Sequence, residues 1–256
     1  MALILTASQV AALLTLDDCI DAVEGAFRAH GEGMLHPPGL LSEHVEHGAF
    51  HIKTSTIGRY FAAKYLAPKR PATVTVFGCG GQGRVQLEAI RRVADVQRVY
   101  AVDTNAEAAA SLGAAPSPEQ VRESDIIITC TTARSPILHL GDVKPGAFVA
   151  AVGADNPAKS EIDPKLLAAT VVVSDITEQA ATIGDLHHAI DAGLVTREHV
   201  RAELGEVVAG TKRGRTSDDE IVIFDSTGAG FQDTAAVAIV YERARERGIG
   251  IEVRLA

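Results

Sequence analysis

Tryptophan is absent from the 256 residues, and cysteine occurs only three times. Cys19, Cys79 and Cys130 are odd in number, far apart and never in a CxxC, so a disulfide framework or a cysteine-held metal is not expected. They read as small buried residues of a reducing compartment. No apolar run reaches the length of a membrane span, although 46% of the residues are hydrophobic. The opening MALILTASQ lacks a basic segment and a long apolar stretch, so a signal peptide is not expected and a cytoplasmic location is. Positive charge is also scarce. With 24 Lys and Arg against 33 Asp and Glu the net charge is −9, which disfavours nucleic acid or an anionic membrane as partner. His187 and His188, and the group His44, His47 and His51, lack a Cys or carboxylate at ligand spacing, so no metal is expected. Ser135 has no GxSxG around it, and the basic run Lys212, Arg213, Arg215 is followed by Asp218, Asp219 and Glu220, as in a solvated loop.

What is present centres on Thr73 to Asp103, TVTVFGCGGQGRVQLEAIRRVADVQRVYAVD. A β-type run, Thr73 to Phe77, leads into Gly78, Gly80 and Gly83 in GxGxxG spacing. A helical pattern follows, with Val85, Leu87, Ile90 and Val93 as its apolar positions, and then a strand from Val99 to Val102. The first glycine permits a sharp turn, the second a close approach to a pyrophosphate, and the third tight helix–strand packing. The helix start offers free N–H groups and the positive end of its dipole to phosphate. Asp103 lies 20 residues beyond Gly83, where a carboxylate can accept both ribose hydroxyls of an adenosine. Its charge favours NAD over NADP, and no Arg stands among Thr104, Asn105, Ala106 and Glu107 to receive a 2′-phosphate.

The remaining chain falls around this unit. Thr6 to Gln9 has capping-box spacing and starts a short helix through Leu14. Thr15 caps a longer helix with Asp17, Asp18 and Asp21 near its start and Ile20, Val23 and Phe27 as its buried stripe. After a His36–Gly39 turn, Leu40–Glu46, Ala49–Thr54 and Arg59–Lys64 read as short antiparallel strands. Ser117 to Gln120 is a second capping box, with Pro at the first helical position. Ile126–Cys130, Phe148–Val152 and Val171–Val173 are apolar runs suited to strands buried on both faces. Asp103 to Ser124 is short for a complete strand–helix–strand excursion. Helices are expected at about Glu178–Ala192 and Thr196–Ala209, a strand at Ile221–Phe224, and a final helix at Asp233–Arg247. The expected class is α/β: a Rossmann-type doubly wound parallel sheet over 66–224, and a small α+β substrate and dimerisation lobe from 1–65 and 225–256.

Six segments, FHIK (Phe50–Lys53), GCGGQGR (Gly78–Arg84), TCTTARSP (Thr129–Pro136), AAVGADNPAKSEID (Ala150–Asp163), ELGEVVAG (Glu203–Gly210) and FDSTGAGFQD (Phe224–Asp233), together resemble the ornithine cyclodeaminase/μ-crystallin family. The resemblance implies a homodimer and a small amino-acid or imino-acid substrate. It also implies roles. Asp155 matches the catalytic aspartate; Lys64 matches a substrate-side catalytic lysine, with Lys53 a nearby alternative, and Thr227 is a further substrate-binding candidate. Gly81 and Gln82 match phosphate-loop contacts, Thr131 a position on the nicotinamide side, and Val152, Lys159 and Ser226 further cofactor-side positions. On local grounds Ser226 could equally be a helix cap, and Lys64 a solvated lysine.

Two departures stand out. Lys64 runs straight into Tyr65–Pro68 and the Rossmann strand, where the family has further strands and an arginine-bearing helix start. No arginine lies between Arg28 and Arg59, where the family often keeps a second one. Both arginine clamps on the substrate carboxylate are thus missing. The Ala62–Lys64 run could belong to either side of this gap. The activity implied is NAD-dependent conversion of L-ornithine to L-proline and ammonia. The alternatives are an imino-acid reductase or alanine dehydrogenase-like enzyme, and a non-catalytic ligand-binding protein.

Overall fold

The computed structural model describes residues 2–34, 42–45, 48–51 and 62–254. Strand β1 (Ala2–Ile4) precedes helices α1 (Ala7–Leu13) and α2 (Leu16–Gly31). Both helices start in capping boxes, Thr6 with Gln9 and Thr15 with Asp18, which satisfy N–H groups at each helix start. The hairpin β2 (Ser42–Val45) and β3 (Gly48–His51) follows. The next element, α3 (Ala62–Leu66), corrects the strand expected over Arg59–Lys64 where it is described. Ala62, Ala63 and Leu66 are buried at helical spacing, and three non-β-branched residues in succession favour a helix. Lys53 and the turn expected over His36–Gly39 lie outside the described residues.

From β4 (Ala72–Phe77) the chain alternates: α4 (Gly81–Val93), β5 (Val96–Val102), α5 (Ala106–Ala110), α6 (Pro118–Arg122), β6 (Ile126–Thr129), β7 (Arg134–Leu138), β8 (Phe148–Ala151), β9 (Ser160–Ile162) and α7 (Pro164–Ala168). It continues through β10 (Val171–Ser174), α8 (Thr177–Ile183), α9 (Asp185–Asp191), β11 (Val200–Glu203), α10 (Leu204–Ala209), β12 (Val222–Asp225), α11 (Gly230–Arg247) and β13 (Ile251–Val253). Seven parallel strands form one sheet in the order β11-β10-β12-β8-β6-β4-β5. The short Asp103–Ser124 segment lays α5 beside β5 and adds a single bridge, Tyr100 to Ala114, and the sheet ends at β5.

The central strands bury both faces, as their apolar runs require. Ile126, Ile128, Phe148, Ala150 and Phe224 face one core with α2, α3, α4 and α10. Ile127, Val149, Ala151 and Ile223 face the other with α7 and α9. Val85, expected on the apolar stripe of α4, is 38% exposed, and Ala89 takes the buried position with Leu87 and Ile90.

Two helix expectations fail for identifiable reasons. The helix over Glu178–Ala192 is broken at Gly184, where a Cβ would lie 2.8 Å from both carboxylate oxygens of Asp225. The helix over Thr196–Ala209 is a 3₁₀ turn, strand β11 and α10, because Val200 and Ala202 pair with β10 as a sheet edge. The chain's two ends also meet. Strand β1 pairs antiparallel with β13, and α11 packs along α2 with Phe231 edge-on to Phe27 and Arg243 holding Asp18 at 2.6 Å. Neither end strand was legible in the sequence, since three residues carry almost no periodicity.

Candidate active site

The chain turns the sheet's switch point into a crevice. After β4 the next strand, β5, lies on one side and the strand after it, β6, on the other, so the loops following β4 and β6 part at the carboxyl edge. Gly78 has φ +87°, and a Cβ there would sit 2.4 Å from the Cys130 carbonyl oxygen of the loop after β6. A Cβ on Gly83 would sit 2.0 Å from the Gly78 carbonyl. The first substitution would force the two loops apart, and the second would push α4 off the glycine turn. Over Gly80 and Gly81 the space is open, and α4 begins at Gly80 with no side chain capping it. Its first N–H groups and dipole are thus free for an anion, with Gln82 exposed beside them.

Asp103, just past β5, borders the same crevice. Its Oδ2 accepts the Cys79 N–H at 2.6 Å, and its Oδ1 the Asn105 N–H at 2.8 Å. These backbone donors, Asn105 foremost, hold its carboxyl below the usual aspartate range. Sequence spacing located this carboxylate; its tie to the glycine loop itself came only with the structure.

Further along the edge stand the loops after β6 and β8. Thr131 gives its N–H and hydroxyl to Glu161 Oε1 at 2.6 and 2.7 Å. Glu161 Oε2 accepts the Thr129 hydroxyl at 2.7 Å and the Gly153 N–H at 2.8 Å. Val152 is buried and gives its N–H to the Thr129 carbonyl. Asp155 is half-buried in the loop after β8, its Oδ1 2.9 Å from Lys159 Nζ and 3.2 Å from the Asn156 amide nitrogen that donates to it. Lys159 is fixed in turn, since His188 Nε2 donates to its carbonyl at 2.7 Å. The loop thus presents a carboxylate and an ammonium as a pair.

After β12, Ser226 and Thr227 turn inward. Their hydroxyls donate to Asp175 at 3.1 and 3.2 Å, and Gln179 Nε2 donates to Thr227 Oγ1 at 2.7 Å. Ser226 is not a helix cap; α11 has Ala229 at that position. Behind them Asp225 accepts N–H groups from Asp185 and Leu186, and Asp185 Oδ1 accepts those of Glu161 and Ile162. Burial, and then the charge of Glu161, push the Asp185 carboxyl up to about 7. Burial and the neighbouring Asp185 carry Asp225 well above the carboxylate range. This row of acids was missed in the sequence. Glu161 and Asp225 fell inside quoted motifs, but nothing in the spacing shows that their partners are backbone N–H groups.

Lys64 lies apart from this assembly. It sits on α3 rather than a strand, half-exposed, with Nζ 2.7 and 3.0 Å from the Glu24 carboxylate of α2. That carboxylate, first among the influences on it, holds its ammonium above the usual lysine range. The Tyr65 hydroxyl donates to the same carboxylate at 2.6 Å. Among the described residues no group of three or more His, Cys, Asp or Glu side chains is placed to hold a metal. No helix among them is long and apolar enough to cross a membrane.

The sheet order, the glycine crevice and the carboxylate after β5 define a dinucleotide-binding α/β protein. The chain belongs to the ornithine cyclodeaminase/mu-crystallin family, whose model matches residues 52–248. It is 31% identical to an alanine dehydrogenase of Archaeoglobus fulgidus over 98% of either chain. It is 36% identical to the iminosuccinate reductase of Paracoccus denitrificans over 75% of its own length, spanning 63% of that relative. In structure it is similar to an archaeal alanine dehydrogenase dimer with bound NAD, at 31% identity and a TM-score of 0.90, covering 100% of this chain and 99% of the other. The alignment with the Archaeoglobus relative runs over 315 positions against the 256 residues of this chain, so it leaves positions that this chain does not fill.

Proposed function

We propose that the chain transfers hydride between NAD and the α-carbon of a small amino or imino acid, most simply as an NADH-dependent imino-acid reductase. The convergence on one sheet edge of an uncapped helix start and the Asp155–Lys159 pair carries this reading. The relatives named alanine dehydrogenase and iminosuccinate reductase act on substrates of this class and favour the reductase over the cyclodeaminase.

The residues present fit the dinucleotide. The α4 N-terminus would receive the diphosphate over Gly80, Gly81 and Gln82, and Asp103 the adenosine ribose, its negative charge opposing a 2′-phosphate. Thr131, Val152, Lys159 and Ser226 would border the nicotinamide half. Bound NADH would supply the hydride that reduces an imine carbon. Asp155 would hold the proton exchanged with the substrate nitrogen, which its partial exposure permits, while Lys159 neutralises its charge. Thr227 would approach the substrate from the β12 side.

Lys64 we read as a tie between α2 and α3, since Glu24 engages its ammonium twice. The two chain ends, 1–65 and 225–256, would form the substrate and dimerisation lobe on the 66–224 unit, giving a cytoplasmic homodimer.

Cyclodeamination of L-ornithine is the second reading, favoured by the family model itself. One experiment separates the two. Purified protein is given NADH with pyrroline-2-carboxylate, or with ammonium and pyruvate or oxaloacetate. In parallel it is given substoichiometric NAD⁺ with L-ornithine. The reductase reading expects NADH oxidised one-for-one with amino acid formed. Proline and ammonia from ornithine with NAD⁺ unchanged would establish the cyclodeaminase instead, and silence in every mixture with NADH bound would leave a binding protein.

A further inference from the structure

Glu161 has no place in the chemistry above, yet its side chain is completely buried next to it. A carboxylate in that position is strongly unfavourable unless its oxygens are met by donors. Here each oxygen accepts two hydrogen bonds, from Thr131 N–H and hydroxyl on one side and from Thr129 hydroxyl and Gly153 N–H on the other. The donors come from two segments, the end of β6 with the loop after it (Thr129 and Thr131) and the loop after β8 (Gly153), and Gly153 is two residues from Asp155. The seat is shaped for this carboxylate. A Cβ on Gly153 would lie 2.3 to 2.5 Å from its three terminal atoms, so Gly is required there for the side chain to fit. Glu161 is held in turn from behind, its own N–H and that of Ile162 bound by Asp185 Oδ1 at 2.8 and 3.0 Å.

We propose that Glu161 is a positioning residue for hydride transfer: one carboxylate bridges the nicotinamide-side loop at Thr131 and the Asp155 loop at Gly153, and so sets the distance between cofactor ring and proton-transfer group. This deepens the reading of Asp155 and Thr131 given above and rests on it. A plain packing staple would join any two loops. This one joins the two loops that must hold a donor and an acceptor in register, where a displacement of about 1 Å costs on the order of 100-fold in rate.

Two substitutions in the full chain separate reach from charge. Glu161→Gln fills the same space, but its amide NH₂ faces N–H and O–H donors and must release one loop. Glu161→Asp keeps the charge and is shorter by one methylene, about 1.5 Å, so it reaches one loop only. With NADH as probe, both variants are expected to bind within about threefold of the parent, because the diphosphate and Asp103 contacts are untouched. Both are expected to change the emission of bound reduced nicotinamide, which is free of indole fluorescence in a chain with no tryptophan. With the imino acid reduced best by the parent, kcat is expected to fall about 10- to 100-fold and KM far less, at temperatures well below unfolding.

Parental nicotinamide emission in both variants, or rate and NADH affinity falling together in proportion to the folded fraction, would overturn the proposal. Asp155→Asn runs alongside. Full turnover by that variant sinks the reading of Asp155, and the emission measurement still decides whether Glu161 positions the ring. An inactive Asp155→Asn with a fully active Glu161→Gln sinks the positioning role alone.

Discussion

The two sides of this molecule are built differently. On the cofactor side the loops at the sheet edge are tied by carboxylate acceptors: half-buried Asp103 to the glycine loop, buried Glu161 to the loops after β6 and β8, buried Asp175 to the turn after β12. On the other side the lysine expected to meet substrate is half-exposed and engaged with Glu24, and the two arginines that the family resemblance leads one to expect are not found in the sequence. A dinucleotide site made of strand ends and the turns between them is carried by contiguous segments. A carboxylate clamp assembled from distant loops depends on stretches that this chain lacks. The contrast predicts cofactor binding that is robust and substrate contacts that are spare.

The sharpest way to break the contrast is Asp155→Asn, which removes the proton-holding group and leaves the glycine loop intact. Turnover is expected to fall by more than about 1,000-fold with NADH affinity unchanged. Substantial retained turnover would take Asp155 out of the chemistry.

Next in size is a pH effect from Asp185. Its carboxyl stands at about 7 in the folded chain against 3.8 for the free side chain. A raised acid contributes stability that is present in full below the unfolded value and is lost as the pH rises through the folded one. The parent should therefore lose stability relative to Asp185→Asn as the pH climbs from about 4 to beyond 7. Parallel melting-temperature profiles for the two proteins across that window would falsify it.

Asp103→Ser probes the cofactor side more gently. Loss of a charged acceptor for the ribose should weaken NADH about 10-fold and narrow the gap to NADPH, read by titrating each cofactor. An unchanged preference would assign discrimination elsewhere. Smallest is Lys64→Met. An exposed ion pair contributes at most about 1 kcal/mol, so the melting temperature should fall slightly and turnover stay within about threefold. A collapse of kcat in this variant would restore Lys64 to the substrate site.

Much of this was legible because strong local signals and tertiary context agreed. The strand–glycine–helix run from Thr73 to Asp103, the capping boxes at Thr6 and Ser117, and the apolar runs at Ile126 and Phe148 all took the structure they imply. Where signals conflicted, packing decided. Val200–Glu203 lies in a helix-favouring sequence, yet the open edge of β10 recruits it as a strand. Ala62–Leu66 was ambiguous, and burial on the sheet made it helical. The buried acids were the least visible part of the site. A sequence shows where a carboxylate lies along the chain but not that Thr129 at the end of β6, Thr131 just after it and Gly153 after β8 converge on it.

The pairing of β1 with β13 has a consequence for how the chain is made. Ala2 finds its partner only in Val253, and Leu13 is buried against Val240 and Ala244 of α11. During synthesis the parallel sheet can close once β12 has emerged, while α1 waits, its apolar face open to water, until α11 and β13 have followed. Contacts of such sequence separation slow folding and lengthen the exposure of apolar surface. Emergence of α11 and β13, rather than of the dinucleotide unit, is therefore the step at which α1 and β1 find their seats.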